Sequence, residues 1–80
     1  MRVEVRLYAT LAAARPDLHA GEPMTLELRG QTQLADLLRR LCIAPQAVHL
    51  AVVNGRLVHD RTHLLSDGDR VGLFPPVGGG

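Results

Sequence analysis

Residues 32–41 read Thr-Gln-Leu-Ala-Asp-Leu-Leu-Arg-Arg-Leu, and they decide the fold because they carry the chain's one strong helical period. Leu34, Leu37, Leu38 and Leu41 fall at i, i+3, i+4 and i+7, which aligns them as a single apolar stripe. Thr32 is read as the N-cap, and Ala35 three residues on rules out a full capping box. Asp36 stands four residues before Arg40, the favourable order for a surface ion pair. Pro45 is expected to end the helix, since its ring cannot continue the hydrogen-bond ladder.

Outward from the helix the period changes to two. On the N-terminal side, Val3, Val5 and Leu7 alternate with Arg2, Glu4, Arg6 and Tyr8, which predicts a half-buried strand over residues 2–8. Residues 9–22 suggest a short helical turn in the Ala-rich part and then a loop. Met24, Leu26 and Leu28 alternate with polar neighbours as a second strand, closed by Gly30. On the C-terminal side, residues 49–53 form a short apolar run before Asn54-Gly55, a hairpin turn signal because both positions tolerate positive φ. Arg56 to His59 is the return strand. Residues 66–69, Ser-Asp-Gly-Asp, make a second turn, and Arg70 to Phe74 is the last strand, with Val71 and Leu73 inward and Gly72 and Phe74 outward.

The order β-β-α-β-β-β gives an α+β domain in which one main helix covers one face of a small mixed sheet of four to five strands. The simplest closed arrangement puts the first and last strands side by side in the centre. Eighty residues hold one core and no second domain. Hydrophobic residues make up 46% of the chain, enough for a folded globule, and the only aromatics are Tyr8 and Phe74, so the core is aliphatic. The domain is expected over residues 1–74 and a flexible tail over 75–80.

Net charge is +1, from nine Arg against eight acids, with no Lys. The Arg residues are scattered and nearly always sit near an acid, which excludes the clustered basic face of a nucleic-acid binder. Cys42 is the single cysteine, so no internal disulfide forms. No apolar run approaches the roughly 20 residues that span a membrane. A cytoplasmic protein without nucleic-acid or membrane partners is expected.

After Phe74 come Pro75, Pro76, Val77, Gly78, Gly79 and Gly80. Extended, this segment reaches at most roughly 20 Å. Prolines stiffen its base, and glycines without Cβ can thread a channel too narrow for any side chain. An ionised Gly80 carboxylate is able to attack a phosphoryl centre. From composition alone a frayed terminus and a reactive one both stand.

The whole chain resembles the MoaD/ThiS family of ubiquitin-like sulfur carriers. The ending Leu73-Phe74-Pro75-Pro76-Val77-Gly78-Gly79-Gly80, the run Leu65-Ser66-Asp67-Gly68-Asp69-Arg70-Val71, the hairpin residues Val53-Asn54 with Leu57-Val58, and Leu7-Tyr8-Ala9 carry the likeness. The Phe-Pro-Pro-Val lead-in is similar to the MoaD branch, the small subunit of molybdopterin synthase. Gly78, where those tails usually have a side chain, is similar to the longer glycine run of thiamine sulfur carriers. The resemblance implies a ubiquitin-like β-grasp fold with no bound cofactor. It implies a Gly80 carboxylate that an adenylating, ubiquitin-activating-like enzyme activates with ATP and that a sulfur donor protein converts to a thiocarboxylate. It further implies that Pro75, Pro76, Val77, Gly78 and Gly79 thread into the active site of a molybdopterin synthase large subunit. Such a chain is a cosubstrate rather than a self-sufficient catalyst. Thiamine, cysteine or tungsten-cofactor synthesis, protein conjugation, and a binding module with an inert tail are the alternatives.

Tyr8 and Phe74 are in phase with the open face at the C-terminal ends of two strands expected to be parallel neighbours. With Leu57 they form the expected partner-docking face. The remaining candidates are read structurally: Cys42 as a small buried hydrophobe at the helix end, Asp67 and Asp69 as turn residues, and His59 with His63 as a pair without carboxylate support, so no metal site is expected.

Overall fold

The computed structural model describes residues 1–13 and 19–76. Its elements are β1 (Arg2–Leu7), α1 (Thr10–Ala13), β2 (Pro23–Glu27), α2 (Leu34–Arg40), β3 (Leu50–Val53), β4 (Arg56–Leu57) and β5 (Arg70–Phe74), with a 3-10 turn at Pro45–Ala47. The five strands form one mixed sheet in the order β2-β1-β5-β3-β4. β1 and β5 are parallel and central, pairing Val5 with Val71 and Leu7 with Leu73, while the other pairs are antiparallel. This is the expected β-grasp arrangement.

Period-two alternation sends one set of strand side chains to the helix. Val3, Val5 and Leu7 of β1, Ala51 and Val53 of β3, and Val71 and Leu73 of β5 are all buried. Leu34, Leu37 and Leu38, each fully inaccessible to solvent, lie in the same cluster with Leu41, Val48 and Leu65. At about 25 cal/mol per Å² of apolar surface, each such leucine contributes roughly 1.5–3 kcal/mol. The core is aliphatic, as the composition requires.

The helix ends differ from expectation at both termini. The N-cap is Gln33, not Thr32. A capping box does exist, because from Gln33 the third helical position is Asp36, whose carboxylate accepts the Gln33 N–H at 2.9 Å. Thr32 is buried and accounted for elsewhere, its hydroxyl lying 3.5 Å from the Arg29 carbonyl. Asp36 makes its ion pair with Arg39 at 3.1 Å rather than with Arg40.

Nor does Pro45 stop the helix. The Cys42 N–H donates to the Arg39 carbonyl and the Ile43 N–H to the Leu38 carbonyl, the two bonds of a Schellman motif. Cys42 takes the left-handed position at φ 59° and is exposed, which corrects the expectation of a buried thiol.

The return strand stops at Leu57 rather than His59. The chain beyond it is needed by the helix. The Arg61 and His63 carbonyls accept the N–H groups of Ala35 and Leu34 at 2.8 and 2.9 Å, satisfying donors that a helix start leaves unpaired. Residues 59–65 thus leave the sheet edge to cap α2, and Gln33 bridges Leu64.

Asn54 (φ 52°) and Gly55 (φ 82°) form the expected hairpin turn. The Asn54 amide nitrogen donates to Asp69 at 2.8 Å, and its carbonyl oxygen accepts the Arg70 N–H at 2.9 Å. Asp69, nearly buried, also accepts the Ser66 N–H at 2.8 Å, while Asp67 accepts the Arg2 N–H at 2.7 Å. The Asp-Gly-Asp turn is therefore a fastener joining β1, the hairpin and β5. Among the described residues, no helix is long and apolar enough to cross a membrane.

Candidate functional site

Side chains pointing away from the helix make the open face of the sheet. The register places Phe74 opposite Leu50, Gly72 between Arg6 and Val52, Leu57 opposite Val52, and Arg70 opposite Glu4. The face is therefore divided. Its end nearest the tail is apolar, with Tyr8, Phe74, Leu50, Val52 and Leu57. The far end carries Arg2, Glu4, Glu27 and Arg70, with Arg2 paired to Glu27 at 2.8 Å.

Tyr8 and Phe74 stack, with ring centroids 4.3 Å apart and planes 3° from parallel. Several constraints hold them there. The Tyr8 N–H donates to the Leu73 carbonyl, continuing the β1–β5 pairing, and Ala9 at φ 51° then turns the chain away. Gly21, at φ 76°, lies against the Tyr8 ring, where a Cβ would come within 3.3 Å of it. The Gly21 N–H donates to the Leu7 carbonyl at 2.8 Å, and its own carbonyl faces Arg6 Nη1 at 3.3 Å. Phe74 is fixed through its carbonyl, which accepts the His49 N–H at 2.8 Å. Both rings are half-buried and half-presented, as the sequence phase required.

Leu57 lies on this face with 59% of its surface exposed, the most exposed large hydrophobic residue among those described. It is set apart from the stacked pair by the β3 and β5 columns that carry Val52 and Gly72. The expected docking residues thus share one surface, but only two of them touch. Leu50, Val52 and Gly72 were not singled out from the sequence. Their signal was there: a run at 49–53 that is apolar on both faces of a strand, where one face alone meets the core. Pro75 is half-buried and Pro76 exposed at the root of the tail. Val77, Gly78, Gly79 and Gly80 lie outside the described residues.

Among the described residues, no group of three or more His, Cys, Asp or Glu side chains is placed to hold a metal ion. Asp60 has its carboxyl held below the usual carboxylate range by hydrogen bonds from the Thr62 hydroxyl and N–H at 2.6 and 2.9 Å. It sits in the exposed loop that caps α2, away from the open face.

The model of the ThiS family matches residues 5–80, from the middle of β1 to the last glycine. The chain belongs to the ThiS family. No curated protein matches it in sequence. Solved structures do. The putative molybdopterin converting factor subunit 1 from Pyrococcus furiosus is 26% identical with a TM-score of 0.68, over 96% of this chain and 99% of that one. Subunit 1 and subunit 2 of the Helicobacter pylori molybdopterin-converting factor form a complex whose matching chain is 26% identical, with a TM-score of 0.64 and full coverage of both chains. SAMP1 from Haloferax volcanii, at 21% identity, shares the fold with a TM-score of 0.75 over the whole of both chains. The chain is thus a small ubiquitin-like protein of the sulfur-carrier family, with a β-grasp body and a sequence that ends in three glycines.

Proposed function

We propose that the chain is a sulfur carrier of the MoaD type, the small subunit of a molybdopterin synthase. The observation that supports this most directly is the stacked Tyr8–Phe74 pair, half-exposed at the root of the Pro75-Pro76-Val77-Gly78-Gly79-Gly80 segment. A paired aromatic anchor on a partly apolar open face is the make-up of a partner hot spot. Its position means that docking there fixes where the tail enters the partner.

The chemistry resides in the last residue. The Gly80 carboxylate attacks the α-phosphorus of ATP on an adenylating enzyme, releasing pyrophosphate and forming an acyl-adenylate. A hydrosulfide equivalent from a sulfur donor protein displaces AMP and leaves a thiocarboxylate. On the large subunit the thiocarboxylate sulfur passes to the pterin precursor, and water restores the carboxylate. The body of this chain contributes binding and orientation only, and holds no cofactor. The Helicobacter pylori complex of subunits 1 and 2 supports a large-subunit partner for the present chain as well.

Intact mass is the test. Incubated with its cognate activating enzyme, ATP and sulfide, the chain should gain the oxygen-to-sulfur increment at Gly80, and a chain lacking Gly79-Gly80 should not. No increment overturns the carrier reading in favour of a binding module with an inert tail. Gly78 favours a second pathway, thiamine synthesis. Copurification with a pterin-binding large subunit supports the first reading, and copurification with a thiazole synthase replaces it.

A further inference from the structure

Gly72 occupies the middle of the central strand β5, hydrogen-bonded into the sheet on both sides. Glycine there weakens a strand, since it loses more backbone freedom on folding and packs no side chain. The fold does not demand it. Its φ is not in the left-handed region, and a Cβ would meet Tyr8 at 3.5 Å and Phe74 at 3.6 Å, ordinary van der Waals contact. A methyl group fits, in contact with both rings. A residue that costs stability where a larger one fits marks a place that something else approaches.

What lies above Gly72 is a depression of about 300 Å³. Gly72 is its floor, Tyr8, Phe74 and Val52 its apolar wall, and Arg6, Arg70 and Glu4 its charged rim. The rim is unbalanced. Glu4 pairs with Arg6 at 3.5 Å, and no carboxylate among the described residues pairs with the Arg70 guanidinium. The Arg70 backbone is clamped by Asn54 on both its N–H and its carbonyl, which fixes where its side chain leaves the strand beside the depression.

We propose that Gly72 floors a socket for one large apolar side chain of a partner protein, followed in that partner by a carboxylate that pairs with Arg70. The floor selects size and the rim selects charge. This rests on the open face being the docking face and names what the face takes from its partner: a Leu-Glu-like step.

The test uses the folded chain and small probes, so it needs no partner. Amide chemical shifts are followed while N-acetyl-Leu-Glu-amide is added, with the Leu-Lys and Ala-Glu analogues alongside. Leu-Glu should move the Gly72, Tyr8 and Phe74 amides with a dissociation constant of about 1 mM, as its size allows, and both analogues should bind at least about fivefold more weakly. Gly72→Ala should weaken Leu-Glu about tenfold while raising the unfolding midpoint by roughly 2–8 °C. That combination cannot come from damage to the fold. Arg70→Gln should remove the preference for Glu over Lys and leave the preference for Leu over Ala. Equal binding of Leu-Glu and Leu-Lys overturns the proposal. So does unchanged affinity in Gly72→Ala, or a fall in its midpoint, which would make the glycine a requirement of the strand. The sulfur-carrier reading fails on a different measurement, the missing mass increment, so either can fall alone.

Discussion

The Tyr8 ring lies flat on the Phe74 ring, centroids 4.3 Å apart, although one residue directly follows the first strand and the other ends the last. Parallel pairing of β1 with β5 brings their C-terminal ends together, and the ends carry the only two aromatic rings in the chain. The contact therefore joins the closure of the sheet to the root of the tail.

Each ring supports the other, so their substitutions should not add. The double-mutant cycle over Tyr8→Ala and Phe74→Ala is expected to give a coupling of about 0.5–1.5 kcal/mol in urea denaturation. On the proposed docking, either single change should lower affinity for a molybdopterin synthase large subunit at least tenfold by calorimetry, since truncating a central anchor typically costs about 2 kcal/mol or more. Additive stability effects with full affinity would remove the stack from both roles.

Cys42 carries a left-handed backbone without being glycine. That conformation costs an L-residue about 1–2 kcal/mol, against about 0.5–1 kcal/mol for the extra freedom of an unfolded glycine. Cys42→Gly should therefore stabilise by about 0.5–1 kcal/mol, and the β-branched Cys42→Val should destabilise. Chemical denaturation of the two variants, with the sign opposite between them, is the check.

Asp69 accepts from Asn54 and Ser66 while nearly buried. Asp69→Ala strands both donors and should cost about 2–4 kcal/mol. Asn54→Ala loses the same bond and the residue type that tolerates positive φ, so the two changes together should cost clearly less than their sum. Hydrogen exchange would show the loss first at Arg70 and Asn54, whose backbones pair across this junction.

Ionised Asp60 is favoured in the folded state by the Thr62 hydroxyl and N–H, which sets its carboxyl below the usual range. The sign follows from that direction. Its contribution to stability is present above the ordinary carboxylate pKa and is lost as pH falls through the lowered folded value. Acid titration followed by carboxyl-carbon NMR should place the Asp60 midpoint below that of an unstructured Asp peptide. Thr62→Val removes the hydroxyl donor and should raise that midpoint while flattening the acid limb of the stability curve.

The strands were legible because alternation is a local signal: Val3, Val5 and Leu7, or Val71 and Leu73, declare a buried face without help from the rest of the chain. The central β1–β5 pair and the phase of Tyr8 and Phe74 followed from that. What failed was local structure serving distant groups. The return strand reads through His59, but the chain leaves the sheet after Leu57, and the Arg61 and His63 carbonyls are taken by the N-terminus of α2, far away in sequence. Cys42 hid the helix stop, since the usual sign is glycine and Pro45 offered a false one. Gly72 read only as an outward position of the last strand, and the stacked rings beside it are what give the gap a shape.

The order of the strands also bears on how the molecule is made. β5 comes last in chain order among the described strands, yet it sits between β1 and β3, so the two halves of the sheet are joined only through it. A nascent chain translated only as far as Asp69 has no centre to its sheet, and its apolar stripe on α2 has little to cover it. Closure of the sheet therefore needs Arg70 to Phe74, and a chain cut short before Arg70 is expected to lack a stable body and to be degraded readily. Quality control of length is thus written into topology: a body able to dock exists only in chains translated as far as the base of the tail.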